Sequence, residues 1–233
     1  MSKYETIIVE TDRRGVARLT LNRPDTHNAI NEQMILELSR AAFELGQNDQ
    51  VRVVILAANG KSFCAGGDLG WMRAQAEKDR AGKLEQSKAL AKMLGLLDRL
   101  PKPLIGRVHG AAFGGGIGMM AVCDIVIAVQ DARFALSETR LGLIPATIAP
   151  FVIRRIGEGF ARALFVTGRG FGVDFAARAG LVTQVCAPND LDQLVKKEVR
   201  AALRCAPGAM AEAKSLCRRL GGADPAGLAN ETA

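Results

Sequence analysis

Three consecutive glycines, Gly114, Gly115 and Gly116, lie in the segment Gly110-Ala-Ala-Phe-Gly-Gly-Gly-Ile-Gly118, between a β-branched run ending at Val108 and an apolar stretch that reads as a helix to Val122. Glycine in a helix costs roughly 0.8–1 kcal/mol relative to alanine, so folding stability does not explain such a run. Without a Cβ, the backbone approaches another group closely, and N–H groups at a helix start favour negative charge. Two readings follow: contact with a ligand, or tight packing of a helix on a sheet. A second junction of the same kind, Phe63-Cys-Ala-Gly-Gly-Asp68, also follows a strand and precedes a helix. Two such junctions in one domain can aim one N–H each at a shared oxygen, which is what an oxyanion hole requires. Loss of one donor there costs ~10²–10³ in rate.

The third signal is Leu136-Ser-Glu-Thr-Arg-Leu-Gly142. A carboxylate among apolar neighbours can have a raised pKa and act as a general acid or base; taken alone, Glu138 reads more readily as a solvated loop acid, and its position relative to the glycine loops changes that weighting. The stretch Gly116-Ile-Gly-Met-Met-Ala121 fits a dinucleotide fingerprint, with Glu138 about 20 residues on. The next strand begins near Ile125, which leaves a helix of only about two turns, too short for the usual crossover. A nicotinamide-dependent oxidoreductase is therefore the contrasting reading and rests on that match alone. His109 is expected to pack at a strand end, and Asp68 and Asp124 to cap or orient loops. Trp71 and the Met119-Met120 pair are expected to line a pocket or core.

Composition narrows the class. The 233 residues include one Trp, one Tyr and nine Phe, too few aromatics for a base-stacking platform, and the net charge of +7 shows no basic block. Nucleic acid is thereby disfavoured, while a mild positive field suits a small anionic ligand. Five cysteines with no C-x-x-C pair read as reduced thiols, and two histidines exclude a multi-histidine metal site. The longest uncharged apolar run, residues 110–123, falls short of the roughly 20 residues of a membrane span. The N-terminus shows no apolar signal core, so a cytoplasmic chain that does not enter a membrane is expected.

Periodicity predicts strands near residues 6–10, 16–21, 51–57, 104–108, 125–128, 133–136 and 181–186. Helices are predicted over 31–45, 69–100, 114–122, 191–204 and 207–220, with Asn189-Asp190 as the cap of the fourth. Strand, loop and helix units recur loosely, as in a wound α/β layer architecture.

Together, Cys64-Ala-Gly-Gly-Asp68, Gly110-Ala-Ala-Phe-Gly-Gly-Gly116, Cys123-Asp124, Asn22-Arg-Pro24 with Asn28-Ala29, and Gly180-Leu-Val182 resemble the enoyl-CoA hydratase/isomerase (crotonase) superfamily. The resemblance implies an α/β spiral of ββα units over residues 1–189, carrying acyl-CoA binding and catalysis. It also implies a helical C-terminal region over 190–233 that assembles a homotrimer or a hexamer. The implied ligand is an acyl-CoA thioester, with no cofactor beyond the coenzyme A of the substrate and no metal. Its carbonyl would lie between the amides of Gly67 and Gly115, with Gly114 beside them. Cys64, Ala65, Gly66, Asp68 and Leu69 would line the adenine and pantetheine end, with Trp71 nearby. Asp25, Thr26 and His27 would lie beside the nucleotide. Glu138 matches the second of the two glutamates that hydratases use, whereas the place of the first is Gly118.

Segments 63–72 and 136–152 look most like the methylglutaconyl-CoA hydratase-like branch. A typical family member extends some tens of residues beyond the position where this chain ends. The expectation is an acyl-CoA hydratase acting through a stabilised enolate. The alternatives are a double-bond isomerase of the same fold and an acyl-CoA-binding member that has lost efficient catalysis.

Overall fold

The computed structural model describes residues 4–221. Its main sheet starts from a hairpin, β1 (Ile7–Thr11) and β2 (Val16–Leu21), turned at the left-handed Gly15 (φ +79°). Helix α1 (Glu32–Gln47) then leads to β3 (Val53–Ala58), which pairs parallel with β2 along its whole length. All six residues of β3 are buried, as expected of a central strand covered on both faces. After α2 (Leu69–Glu77) and α3 (Arg80–Asp98) come β4 (Leu104–Val108), the short β5 (Ala112–Phe113), α4 (Gly115–Ala121) and β6 (Ile125–Val129). The chain continues through β7 (Arg133–Ala135), α5 (Ala149–Thr167, interrupted at Gly157), β8 (Gly170–Gly172), α6 (Val173–Arg178), β9 (Gln184–Cys186), α7 (Leu191–Leu203) and α8 (Pro207–Leu220).

The main sheet runs β1-β2-β3-β4-β6-β9 and is parallel beyond the hairpin; a small second sheet runs β5-β7-β8. Isolated parallel bridges Cys64–Ala112 and Ile30–Gly67 extend this second layer. The layering brings both glycine junctions to one place. Among the described residues, no helix is long and apolar enough to cross a membrane.

The amphipathic reading of α1 holds in detail: Met34, Ile35, Leu38, Ala41, Ala42 and Leu45 are buried, and the Asn31 side chain caps the helix by accepting from the Met34 N–H. The single helix expected over 69–100 is two, because Asp79 accepts the Gly82 N–H and starts α3 afresh. The strand expected over 181–186 is confined to β9. Asp190 occupies the N-cap position of α7 as expected, but residues 188–190 form a 3-10 turn and its side chain makes no capping hydrogen bond. Helix α7 packs on β4, β6 and β3 through Leu191, Val195 and Val199. Residues 222–233 of the C-terminal region lie outside the described residues.

One buried carboxylate ties α1 to the chain start. Glu37, 6% exposed, accepts from the Glu5 N–H (2.8 Å), the Thr6 N–H (2.8 Å), the Thr6 hydroxyl and Gln33 Nε2 (2.9 Å). Burial pushes its pKa up, but the four donors outweigh burial and hold it below the ordinary glutamate value. Because the ionised form is favoured in the fold, its stabilisation is present above the ordinary glutamate pKa and is lost as pH falls through the depressed one. Glu37→Gln is expected to lose about 1–3 kcal/mol at neutral pH. Urea unfolding at pH 7 and pH 4 should show the gap between the two proteins shrinking at the lower pH.

Candidate active site

The floor of the site is set by Ile30. Its N–H donates to the Gly66 carbonyl (2.7 Å), and its own carbonyl accepts from the Asp68 N–H (2.9 Å). In a parallel bridge the residue flanked this way, Gly67, carries its N–H on the side away from the partner strand. The second junction begins at Gly114, whose φ of +45° turns the chain into α4 while its N–H donates to the Ala135 carbonyl (3.0 Å). Gly115 is the first helical residue, so its N–H has no acceptor within the helix.

The two junctions touch through bare backbone. A Cβ on Gly66 would stand 3.1 Å from the Phe113 carbonyl oxygen, and one on Gly114 would stand 3.9 Å from Gly66 Cα. A Cβ on Gly115 would meet Ile30 Cδ1 at 2.7 Å, and one on Gly116 the Cys64 carbonyl oxygen at 2.7 Å. Ile30 therefore governs both amides, pairing with one junction through its backbone and seating the other on its side chain.

The 64–68 loop is held from below. Asn28, fully buried with φ +55°, accepts the Arg23 N–H and donates to the carbonyls of Asn59 (2.8 Å) and Ser62 (3.0 Å). Arg23 donates to the Ala29 carbonyl and to Asp68 Oδ2 (3.0 Å). Asp68 also caps α2 by accepting the Trp71 N–H; that bond first, then Arg23, keeps its carboxyl below the usual range. Cys64 is buried, and burial pushes its thiol up to about 12, so it is a packed thiol rather than a nucleophile.

Ala65 donates to the His27 carbonyl (2.9 Å), joining the exposed Asp25-Thr26-His27 turn to the loop; His27 Nδ1 lies 3.0 Å from Ser62 Oγ. Leu69 is exposed at the rim. Above Gly67, a Cβ would meet Met72 Sδ at 2.9 Å and Trp71 Cζ3 at 3.8 Å, and the buried Trp71 Nε1–H has no protein acceptor.

Glu138 opens a 3-10 turn (Glu138–Leu141) closed by the left-handed Gly142. Its Oε1 lies 3.0 Å from where a Gly114 Cβ would be, and its buried Oε2 has no hydrogen-bond partner. Burial raises its pKa above the ordinary glutamate value, opposed by a backbone hydrogen bond. The structure thus brings Gly66, Gly67, Gly114, Gly115 and Glu138 together.

Gly118 lies one turn further along α4 and is buried. A Cβ there would meet Ile148 Cγ2 at 2.8 Å and Leu94 Cδ1 at 3.5 Å. His109 closes a strand end, with Nε2 2.9 Å from the Gly60 carbonyl, and burial lowers its pKa. Asp124 accepts from the Leu104 N–H and from Lys214. A cavity of about 590 Å³ lies at the other end of α4, between it and α8. Its cations Arg154, Arg218 and Lys214 are bonded to Asp98 and Asp124, and Arg155 donates to the carbonyls of Gly180 and Cys123. Ile30, Met72 and Leu94 escaped the sequence reading because single apolar residues carry no local signal; only their contacts with glycines reveal them.

The family model described as enoyl-CoA hydratase/isomerase matches residues 11–223. An enoyl-CoA hydratase of Alternaria alternata (ACTT6) is 34% identical over 206 residues, covering 88% of this chain and 67% of that protein. The crystal structure of an enoyl-CoA hydratase from Shewanella pealeana superposes with a TM-score of 0.95 at 37% identity, covering 99% of this chain and 86% of that one. An enoyl-CoA hydratase from Mycobacterium smegmatis gives 0.93 at 36% identity, covering 98% and 88%. With this fold and these matches along nearly its whole length, the chain belongs to the enoyl-CoA hydratase/isomerase family.

Proposed function

We propose that the protein hydrates an α,β-unsaturated acyl-CoA thioester, with Glu138 as its single acid–base group. The observation that carries this reading is a half-buried carboxyl set against Gly114, whose Oε2 has no protein partner. The thioester oxygen binds the N–H groups of Gly67 and Gly115, which stabilise the negative charge that develops there as the enolate forms. Ionised Glu138 takes a proton from water as the water oxygen bonds to the β-carbon. The electron pair of the double bond moves to the enolate, and Glu138 then delivers the same proton to the α-carbon, regenerating its carboxylate. One carboxylate thus balances the reaction. The exposed Asp25-Thr26-His27 turn borders the nucleotide, and Cys64, Ala65, Gly66, Asp68, Leu69 and Trp71 frame the pantetheine arm. The likeness of segments 63–72 and 136–152 to methylglutaconyl-CoA hydratases favours a branched acyl group.

A second reading, double-bond isomerisation, is favoured by the surroundings of Gly118: Ile148 and Leu94 offer nothing to hold a water. Glu138 would then carry one proton from the α- to the γ-carbon of the substrate. Crotonyl-CoA, 3-methylglutaconyl-CoA and a 3-enoyl-CoA separate the two. Hydration removes the conjugated thioester absorbance of the first pair, whereas isomerisation creates it from the third.

Glu138→Gln is expected to lower kcat by ~10²–10⁴ with acyl-CoA affinity retained. In the wild type, kcat/KM should rise with pH along a limb displaced above the ordinary glutamate pKa, and the variant should lose that limb. The sign for stability is opposite to that of Glu37. A raised pKa means the ionised form is disfavoured in the fold, so stability falls as pH rises through it. Glu138→Gln should therefore melt no lower than the wild type at pH 8, and wild-type turnover by the variant would remove Glu138 from this role.

Assembly as a homotrimer or hexamer is part of the same reading. Helix α5 leaves Ile153, Phe160 and Val166 exposed, and α8 has no fully buried residue. Light scattering at micromolar concentration should give three or six times the chain mass; a monomer mass would contradict it.

A further inference from the structure

We propose that Ile148 is the specificity-determining wall of the acyl pocket, seated on Gly118 one helical turn beyond Glu138, where it limits the substituent that the substrate β-carbon can carry. The inference rests on the reading of Glu138 given above. Gly114 caps the start of α4 and its carbonyl accepts the Gly118 N–H (3.1 Å), so the two lie one turn, about 6 Å, apart along the axis. Gly114 looks onto the Glu138 carboxyl and Gly118 onto Ile148. The Gly66 backbone, 3.9 Å from a Gly114 Cβ, closes the near side, so an acyl group anchored at the two amides extends toward the Gly118 turn.

There it meets a side chain that is fixed in place. Ile148 is 3% exposed, and its Cγ2 and Cβ lie 2.8 and 3.2 Å from the position of a Gly118 Cβ, with Leu94 Cδ1 at 3.5 Å. Base and wall also share one stretch of chain. The Leu143 N–H donates to the Glu138 carbonyl (3.0 Å), and the Ala149 N–H to the Pro145 carbonyl (2.9 Å). Ile148 is apolar throughout, so it discriminates by volume. Gly118 and Ile148 form a complementary pair: any side chain at 118 displaces the isoleucine.

The test compares crotonyl-CoA with cinnamoyl-CoA, a small and a large β-substituent on the same conjugated thioester. Ile148→Ala is expected to raise the cinnamoyl-to-crotonyl ratio of kcat/KM at least about tenfold, the lower end of what a few methylenes are worth in a pocket. Gly118→Ala, which pushes Ile148 outward, should lower the ratio, and Gly118→Ala/Ile148→Val should restore it. If Ile148→Ala does not fold, Ile148→Val provides the same comparison with a smaller rise. If the wild type turns over neither thioester, the ratio is read from calorimetric Kd values for butyryl-CoA and 3-phenylpropionyl-CoA. An unchanged ratio in folded Ile148→Ala overturns the proposal. Failure of the underlying reading is distinguishable, because Glu138→Gln would then retain turnover whatever Ile148 does.

Discussion

The contact between two stretches of bare backbone, Gly66-Gly67 and Gly114 to Gly116, is the constraint on which the rest of the site depends. No side chain fits between them: a Cβ on Gly115 or Gly116 would stand 2.7 Å from Ile30 or from the Cys64 carbonyl. Two strand-to-helix junctions from different turns of the spiral are thereby locked together, each leaving one N–H outside its own ladder or helix. Packing accounts for the glycine triplet directly, since each of these Cβ positions is occupied by a neighbour. The glycines allow the backbones to meet, and Ile30 touches both junctions.

Around this contact the protein divides rigidity from reactivity. Asn28, Arg23 and Asp68 form a bonded chain of polar groups that fixes the 64–68 loop. Each of these groups is satisfied, and Asp68 is held ionised. Glu138 is treated in the opposite way: half-buried, with one buried oxygen unpartnered and its ionised form disfavoured. A carboxylate whose ionised form is disfavoured adds no stability to the fold at neutral pH, and the proposed role as proton carrier rests on that contrast. Glu37 shows the contrast within the same molecule, since four donors there convert a buried carboxylate into a structural tie.

Much of this was legible in the sequence because it is written in local patterns. The face of α1 follows the helical period, and the all-apolar β3 marks a central strand. The coincidence of strand, glycines and helix marks both junctions. The short span between Gly116 and Ile125 argued against a dinucleotide crossover, and α4 is indeed only seven residues long. What remained hidden depends on contacts distant in sequence. The break between α2 and α3 turns on Asp79 winning as a cap inside a stretch whose helical period continues across it. The two-residue β5 and three-residue β8 are too short to show alternation. Gly118 read as the place of a missing carboxylate, and that Ile148 and Leu94, thirty residues downstream and twenty-four upstream, pack over it carries no local signal.

The central claim is that two amides and one carboxylate, with no second acid, form the reacting centre. A crystal structure with butyryl-CoA, a saturated thioester that cannot be hydrated, tests it most directly. The account predicts the thioester oxygen within about 3 Å of both the Gly67 and Gly115 nitrogens, with the α-carbon facing Glu138. A thioester bound with its oxygen away from both amides, or with its α-carbon remote from Glu138, would contradict it.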